Sequence, residues 1–206
     1  MKGRISKLAV VDACLEGVVS AQYEYCKMSG GDWVCWAPEY FITTSIAQYL
    51  HQAKGSKYVT MENGAYDALD YAGAVGKGRL HGDIRSSGRF DLLLWWAKGD
   101  PRAVIEVKNS VFNKSQYESD LKRITGVLKR KKLQSSIEFG AFAFYSAAED
   151  SSWKKAHEIL EQRVETIQNN VQEIVGDGFK ATLYIRDIVI EDSSGWFAGC
   201  ILVEHA

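Results

Sequence analysis

Three charged side chains interrupt two of the most apolar stretches of the sequence. Asp91 lies in Arg89-Phe90-Asp91-Leu92-Leu93-Leu94, and Glu106 and Lys108 lie in Val104-Ile105-Glu106-Val107-Lys108. Segments this rich in Val, Ile, Leu and aromatic residues read as buried strands, where an ion persists only if it is paired or bound to metal. Side chains alternate across a strand, so Glu106 and Lys108 share a face, and Asp91 joins them if the two strands are neighbours. Two carboxylates and a main-chain carbonyl, that of Val107, make an open oxygen site of the kind that suits Mg2+, with Mn2+ as a substitute. Such a cation meets the three needs of phosphodiester hydrolysis: it neutralises the scissile phosphate, generates hydroxide near neutral pH and stabilises the leaving alkoxide. Lys108 would sit beside it, orienting the attacking water or offsetting charge on the phosphate.

A plainer reading of the same residues stays open. Asp91 and Lys108 could form a cross-strand ion pair worth ~0.2–1 kcal/mol, with Glu106 pointing into solvent. Against it stand Leu92-Leu93-Leu94-Trp95-Trp96 and Val104-Ile105, which leave little sign of a solvated face.

The elements that must position these groups follow from periodicity and turn signals. Strands at 89–96 and 103–109 flank Lys98-Gly99-Asp100-Pro101, a connection so short that the strands must be antiparallel neighbours. Upstream, Ile5, Leu8, Val11, Leu15 and Val18 recur at helical spacing and predict an N-terminal helix over 4–28, ending before Ser29-Gly30-Gly31. A second helix starts at Pro38 and runs to about Gln52 with Ile42, Ile46, Tyr49 and Leu50 on one face. Glu39 lies on that face and is a candidate third acid, although an acid in a first helical turn also interacts favourably with the helix dipole.

Residues 56–62 read as a short strand and 63–87, rich in Gly, Asp and Ala, mostly as loop. Ser115 and Glu118 have capping-box spacing and open a helix to about Lys132 with Tyr117, Leu121, Ile124 and Leu128 as its stripe. Residues 139–146, apolar on both faces, suit a central strand. A helix over 152–175 follows, with Trp153, Leu160, Val164, Ile167, Val171 and Ile174 inward. Strands at 179–190 and 196–204 then form a hairpin through Asp192-Ser193-Ser194-Gly195. The order ααβββαβαββ predicts an α/β fold: one domain over 1–206 with a single mixed sheet flanked by helices on both faces.

An acid on one strand followed by Glu-x-Lys on the next resembles the PD-(D/E)XK superfamily of restriction-endonuclease-like nucleases. The match reads Phe90-Asp91, then Glu106-Val107-Lys108, with Phe90 where the family name expects proline. Glu39 corresponds to the acid that members tend to carry on a helix before the sheet, and the helix bearing Gln116, Asp120 and Arg123 falls where the family places its post-motif helix. The resemblance spans about 36–146. It implies a restriction-endonuclease-like core with an extra N-terminal helix and a C-terminal helix and hairpin over 150–205. It also implies a Mg2+-dependent nuclease, acting on DNA ahead of RNA, with Asp91, Glu106 and Glu39 holding metal and Lys108 positioning water.

Composition bounds the partners. The chain has 206 residues, 46% hydrophobic and 25% charged, with a formal net charge of −1, so contact with nucleic acid must come from a local patch. Lys122, Arg123, Lys129, Arg130, Lys131 and Lys132 concentrate such charge along and beyond one helix, and Arg89 and Gln116 add candidate phosphate contacts. Trp95, Trp96, Trp153 and Trp196 read as core, whereas Trp33 and Trp36 precede Glu39 in an irregular segment and could stack a base. No element reads base sequence recognisably, so dimerisation, recognition of nucleic-acid structure or a partner subunit would have to supply specificity. Four cysteines without CxxC spacing and four scattered histidines give no zinc signature. With no leader-like start and no run of ~18 apolar residues, the expectation is free thiols in a reducing cytoplasm and no membrane. Two readings from other classes remain: a nuclease-like fold kept as a nucleic-acid-binding or protein-assembly module, and a hydrolase of a smaller phosphorylated substrate.

Overall fold

β2 (Arg89–Trp96) and β3 (Pro101–Lys108) form the antiparallel hairpin that the short connection over 97–100 requires. The computed structural model describes residues 4–55, 57–77, 79–130 and 134–206. Among them, the sheet grows from this hairpin in the order β1 (Lys57–Gly64), β2, β3, β4 (Phe139–Glu149), β7 (Ser194–His205) and β5 (Phe179–Ile185), with β6 (Val189–Glu191) also paired to β7. β3 and β4 are parallel, joined by a crossover through helix α4 (Glu118–Leu128), and every other pairing is antiparallel. The fold is therefore α/β, a mixed sheet flanked by helices on both faces.

Alternation along the strands divides the core in two. On one face, α1 (Lys7–Ser29) and α2 (Glu39–Gln52) bury Val11, Leu15, Val18, Ile42 and Ile46 against Leu92, Leu94, Ile105 and Val107. On the other, α3 (Ala65–Tyr71), α4 and α5 (Ala156–Val175) cover Phe90, Leu93, Val104 and Phe142. Two glycines set these approaches. A Cβ on Gly17 would lie 2.6 Å from Ile46 Cα, so α1 and α2 cross in close contact, and one on Gly140 would lie 2.3 Å from Ile124 Cγ2, so α4 sits directly on β4.

Several expectations are corrected. Within 63–87, expected mostly as loop, 65–71 form α3, whose Ala65, Ala68 and Leu69 are buried in the second core; a helix this short leaves little periodicity to read. The capping box belongs to Asn113 and Gln116, not to Ser115 and Glu118, because Ser115 N–H donates to Asn113 Oδ1 (3.0 Å) and a 3-10 turn intervenes before α4. Pro38 precedes α2 as its cap. α5 begins at Ala156; the Ser151 hydroxyl holds the preceding turn by accepting from Trp153 and Lys154 N–H, leaving Trp153 92% exposed and outside the core. The strand expected over 179–190 breaks at 186–188, where Arg186 turns to Asp12 and Glu16 of α1. Lys131 and Lys132 lie outside the described residues. Cys14 and Cys200 are buried free thiols, whereas Cys26 and Cys35 are only half-buried. Among the described residues no helix is long and apolar enough to cross a membrane.

Candidate functional site

The hairpin opens where its charges begin. Pairing between β2 and β3 runs to Leu92 and Ile105; two residues further along β3, Val107 N–H donates not to a β2 carbonyl but to Asp91 Oδ2, at 2.7 Å. The Asp91 carboxylate thus occupies the parting of the strands. β4 pairs with β3 as far as Lys108 and Phe144, which holds the far side of the opening rigid.

Glu106 is 3% exposed and faces α4, where Arg123 Nη1 donates to its Oε1 at 2.8 Å. The same guanidinium donates to Ile84 O (3.0 Å) and Arg89 O (2.7 Å), and its carbon lies 4.3 Å from the centre of the Phe90 ring. Close seating of α4 at Gly140 delivers Arg123 to this position. Asp120, three residues earlier on α4, adds another acid and pairs with Arg85 at 2.5 Å.

Negative charge is in excess here. Burial pushes the Glu106 carboxyl well above the usual carboxylate range, against the pull of Arg123, and Asp91 and Asp120 add to the rise. Burial also raises Asp91, partly countered by Val107 N–H and a hydrogen bond from Glu106, with Glu39 and Asp120 adding to the rise. The two acids also crowd one another, and each lies close enough to the other to bear on its charge.

Glu39 and Lys108 close the other side. Lys108 Nζ lies 3.2 Å from Glu39 Oε2, Asn109 N–H donates to the same oxygen (3.1 Å), and Asn109 Nδ2 donates to Ala37 O (2.8 Å). The structure therefore brings together Asp91, Glu106, Val107, Lys108 and Glu39, though not on one sheet face as alternation suggested. Glu106 is paired toward α4 and Lys108 toward α2 on the opposite face; Lys108 is the last residue of β3, where the pleat no longer dictates direction. The cross-strand Asp91–Lys108 pair with a solvated Glu106 is not what forms.

The expected phosphate surface is only partly formed: Arg123 and Arg130 turn into the chain, and Lys122, Lys129 and Arg89 stay at the surface. Arg123 is 3% exposed and bound to Glu106, so it is not a surface contact. Arg130 is half-buried, donating to Ala74 O (2.8 Å) and Val75 O. Lys122 pairs with Glu118 (2.7 Å), Arg89 lies 4.0 Å from Glu62, and the Gln116 carbonyl accepts from Phe112 and Asn113 N–H. Lys129 is exposed. Asn109 and Arg85 are site neighbours that motif spacing does not mark, whereas Arg123 had a signal: it shares a helical stripe with Asp120 and the buried Val127.

Asp91 and Glu106 suit a divalent cation, since a cation would neutralise the carboxylate charge that their surroundings disfavour. Among the described residues no group of three or more His, Cys, Asp or Glu is arranged to hold a metal ion. Glu39 is bound to Lys108 and Asn109 instead. In comparisons of the chain with protein-family models, curated proteins and solved structures, nothing matches.

Proposed function

We propose that the chain is a Mg2+-dependent nuclease of restriction-endonuclease-like architecture that hydrolyses phosphodiester bonds, with DNA ahead of RNA on resemblance. The observation that carries this reading is the pair of acids at the parting of β2 and β3, half-buried Asp91 and buried Glu106, with Lys108 and Glu39 at the same opening. Asp91 and Glu106 would hold the metal, with the Val107 main chain and Glu39 adjoining. When bound, the cation supplies charge neutralisation at the phosphate and hydroxide near neutral pH.

The chain's own groups divide the remaining work. Lys108 is one-third exposed, so its ammonium can meet a water or phosphate oxygen while Glu39 and Asn109 fix the segment that carries it. Arg123 holds the Glu106 carboxylate through a buried hydrogen bond, which limits its rotation. The second reading, a nuclease-like module that binds without cutting, is favoured by the pairing of Glu39 with Lys108 and of Glu106 with Arg123, which gives each charge a partner in the chain itself.

Supercoiled plasmid, linear duplex and single-stranded substrates, incubated with Mg2+, Mn2+ or EDTA, separate the two. Metal-dependent cleavage that falls about a hundredfold or more in Lys108→Ala and Asp91→Ala supports the nuclease. Cleavage at the wild-type rate in Lys108→Ala sinks the assigned roles, and nucleic-acid binding without cleavage in either metal favours the module.

A further inference from the structure

Two aromatic side chains stand in solvent beside the candidate centre, on segments that the centre's own hydrogen bonds hold in place. Trp36 is 79% exposed and ends a 3-10 turn anchored by buried Val34, whose N–H donates to the buried Gln22 side chain at 2.9 Å. Phe112 is 57% exposed, and Gln116 fixes its main chain by accepting from Phe112 N–H (2.8 Å) and Asn113 N–H (3.0 Å). Asn109 joins the two segments, donating to Glu39 from its main chain and to Ala37 O, the residue after Trp36, from its side chain. Among the described residues neither ring stacks on another ring or on a cation. Large rings carried on a main chain that is already fixed leave less freedom to be lost when a ligand covers them.

Charge and ring chemistry together choose the ligand. Gripping a duplex by its backbone requires Lys and Arg to neutralise phosphates, yet Arg123 and Arg130 are turned into the chain, Lys122 lies beside Glu118, and the net charge is −1. A duplex also hides its base faces in its own stack, whereas unpaired bases present them to aromatic rings.

We infer that Trp36 and Phe112 are stacking platforms for unpaired bases, and that the strand presented to the centre is single-stranded nucleic acid. The inference rests on the nuclease reading only for what happens to the strand once bound.

Fluorescence-anisotropy titrations of the full chain in EDTA, with labelled oligothymidylate and a labelled hairpin duplex, test binding apart from cleavage. Wild type is expected to prefer oligothymidylate. Trp36→Ala and Phe112→Ala should each weaken that binding about tenfold, and Trp36→Phe should retain most of it. Tyr58→Ala serves as control: Tyr58 is 58% exposed but pairs with Trp95 at the opposite end of the sheet, so its loss should leave binding unchanged. Equal or tighter duplex binding, no binding by wild type, or wild-type affinity in both alanine variants overturns the inference. So does a loss of self-association in Trp36→Ala, read by sedimentation, with oligothymidylate binding intact. If oligothymidylate binds as expected but Mg2+ brings no cleavage, the nuclease reading falls and the stacking surface stands.

Discussion

Two buried arginines hold glutamates at opposite ends of the central hairpin, and only one of them belongs to the candidate site. At the turn end, Arg102 is 1% exposed and lies between the Trp96 and Phe139 rings, donating to Ile5 O (2.8 Å) and to Glu138 (3.3 Å). Glu138 is one-third exposed and meets a second cation, Arg4. At the open end, Arg123 meets a Glu106 with almost no exposure, crowded by Asp91 and Asp120. One end has two cations around one wet acid; the other sets Arg123, Arg85 and Lys108 against Glu106, Asp120, Glu39 and an Asp91 with no cation of its own. Burial of an arginine is common to both, so what marks a site is the unbalanced negative charge left beside it.

Removing each arginine should separate the two ends most sharply. Arg123→Ala strands the buried Glu106 and is expected to cost about 3–5 kcal/mol in urea denaturation. Arg102→Ala should cost less, because Glu138 can hydrate and keep Arg4; equal losses would erase the contrast. The next effect is in pH. The Asp91 and Glu106 carboxyls are raised in the folded state, so the stability tied to their protonated form is fully present below the ordinary carboxylate range and is lost as pH rises through the raised values. Asp91→Asn, which keeps an acceptor for Val107 N–H, should therefore raise Tm above wild type at neutral pH and close the gap in acid. Mg2+ should raise Tm in wild type and much less in Asp91→Asn. The smallest effect belongs to Arg4→Ala at the turn end, where an exposed ion pair is worth at most about 1 kcal/mol by the same denaturation measurement.

The triad was legible because charges inside apolar strands have few explanations, and Glu39 because it shares a face with Ile42 and Ile46. The hairpin and the parallel crossover through α4 followed from connection lengths and periodicity. Less legible was Arg123, which reads as one member of a cationic run until α4 seats on Gly140 and turns it inward. Trp153 shows the same ambiguity from the other side. A tryptophan among apolar neighbours reads as core, and only the turn fixed by Ser151 leaves it in water.

By itself, the sequence determined the element types, the antiparallel hairpin and the residues with no cheap place to be, since periodicity, turn length and the cost of a buried charge are local properties. Tertiary structure alone decided which charges remain in excess. Pairing is a long-range outcome: it assigned Arg123 to Glu106, Glu39 to Lys108 and Arg130 to main-chain carbonyls, and left Asp91 without a cation of its own where the strands part.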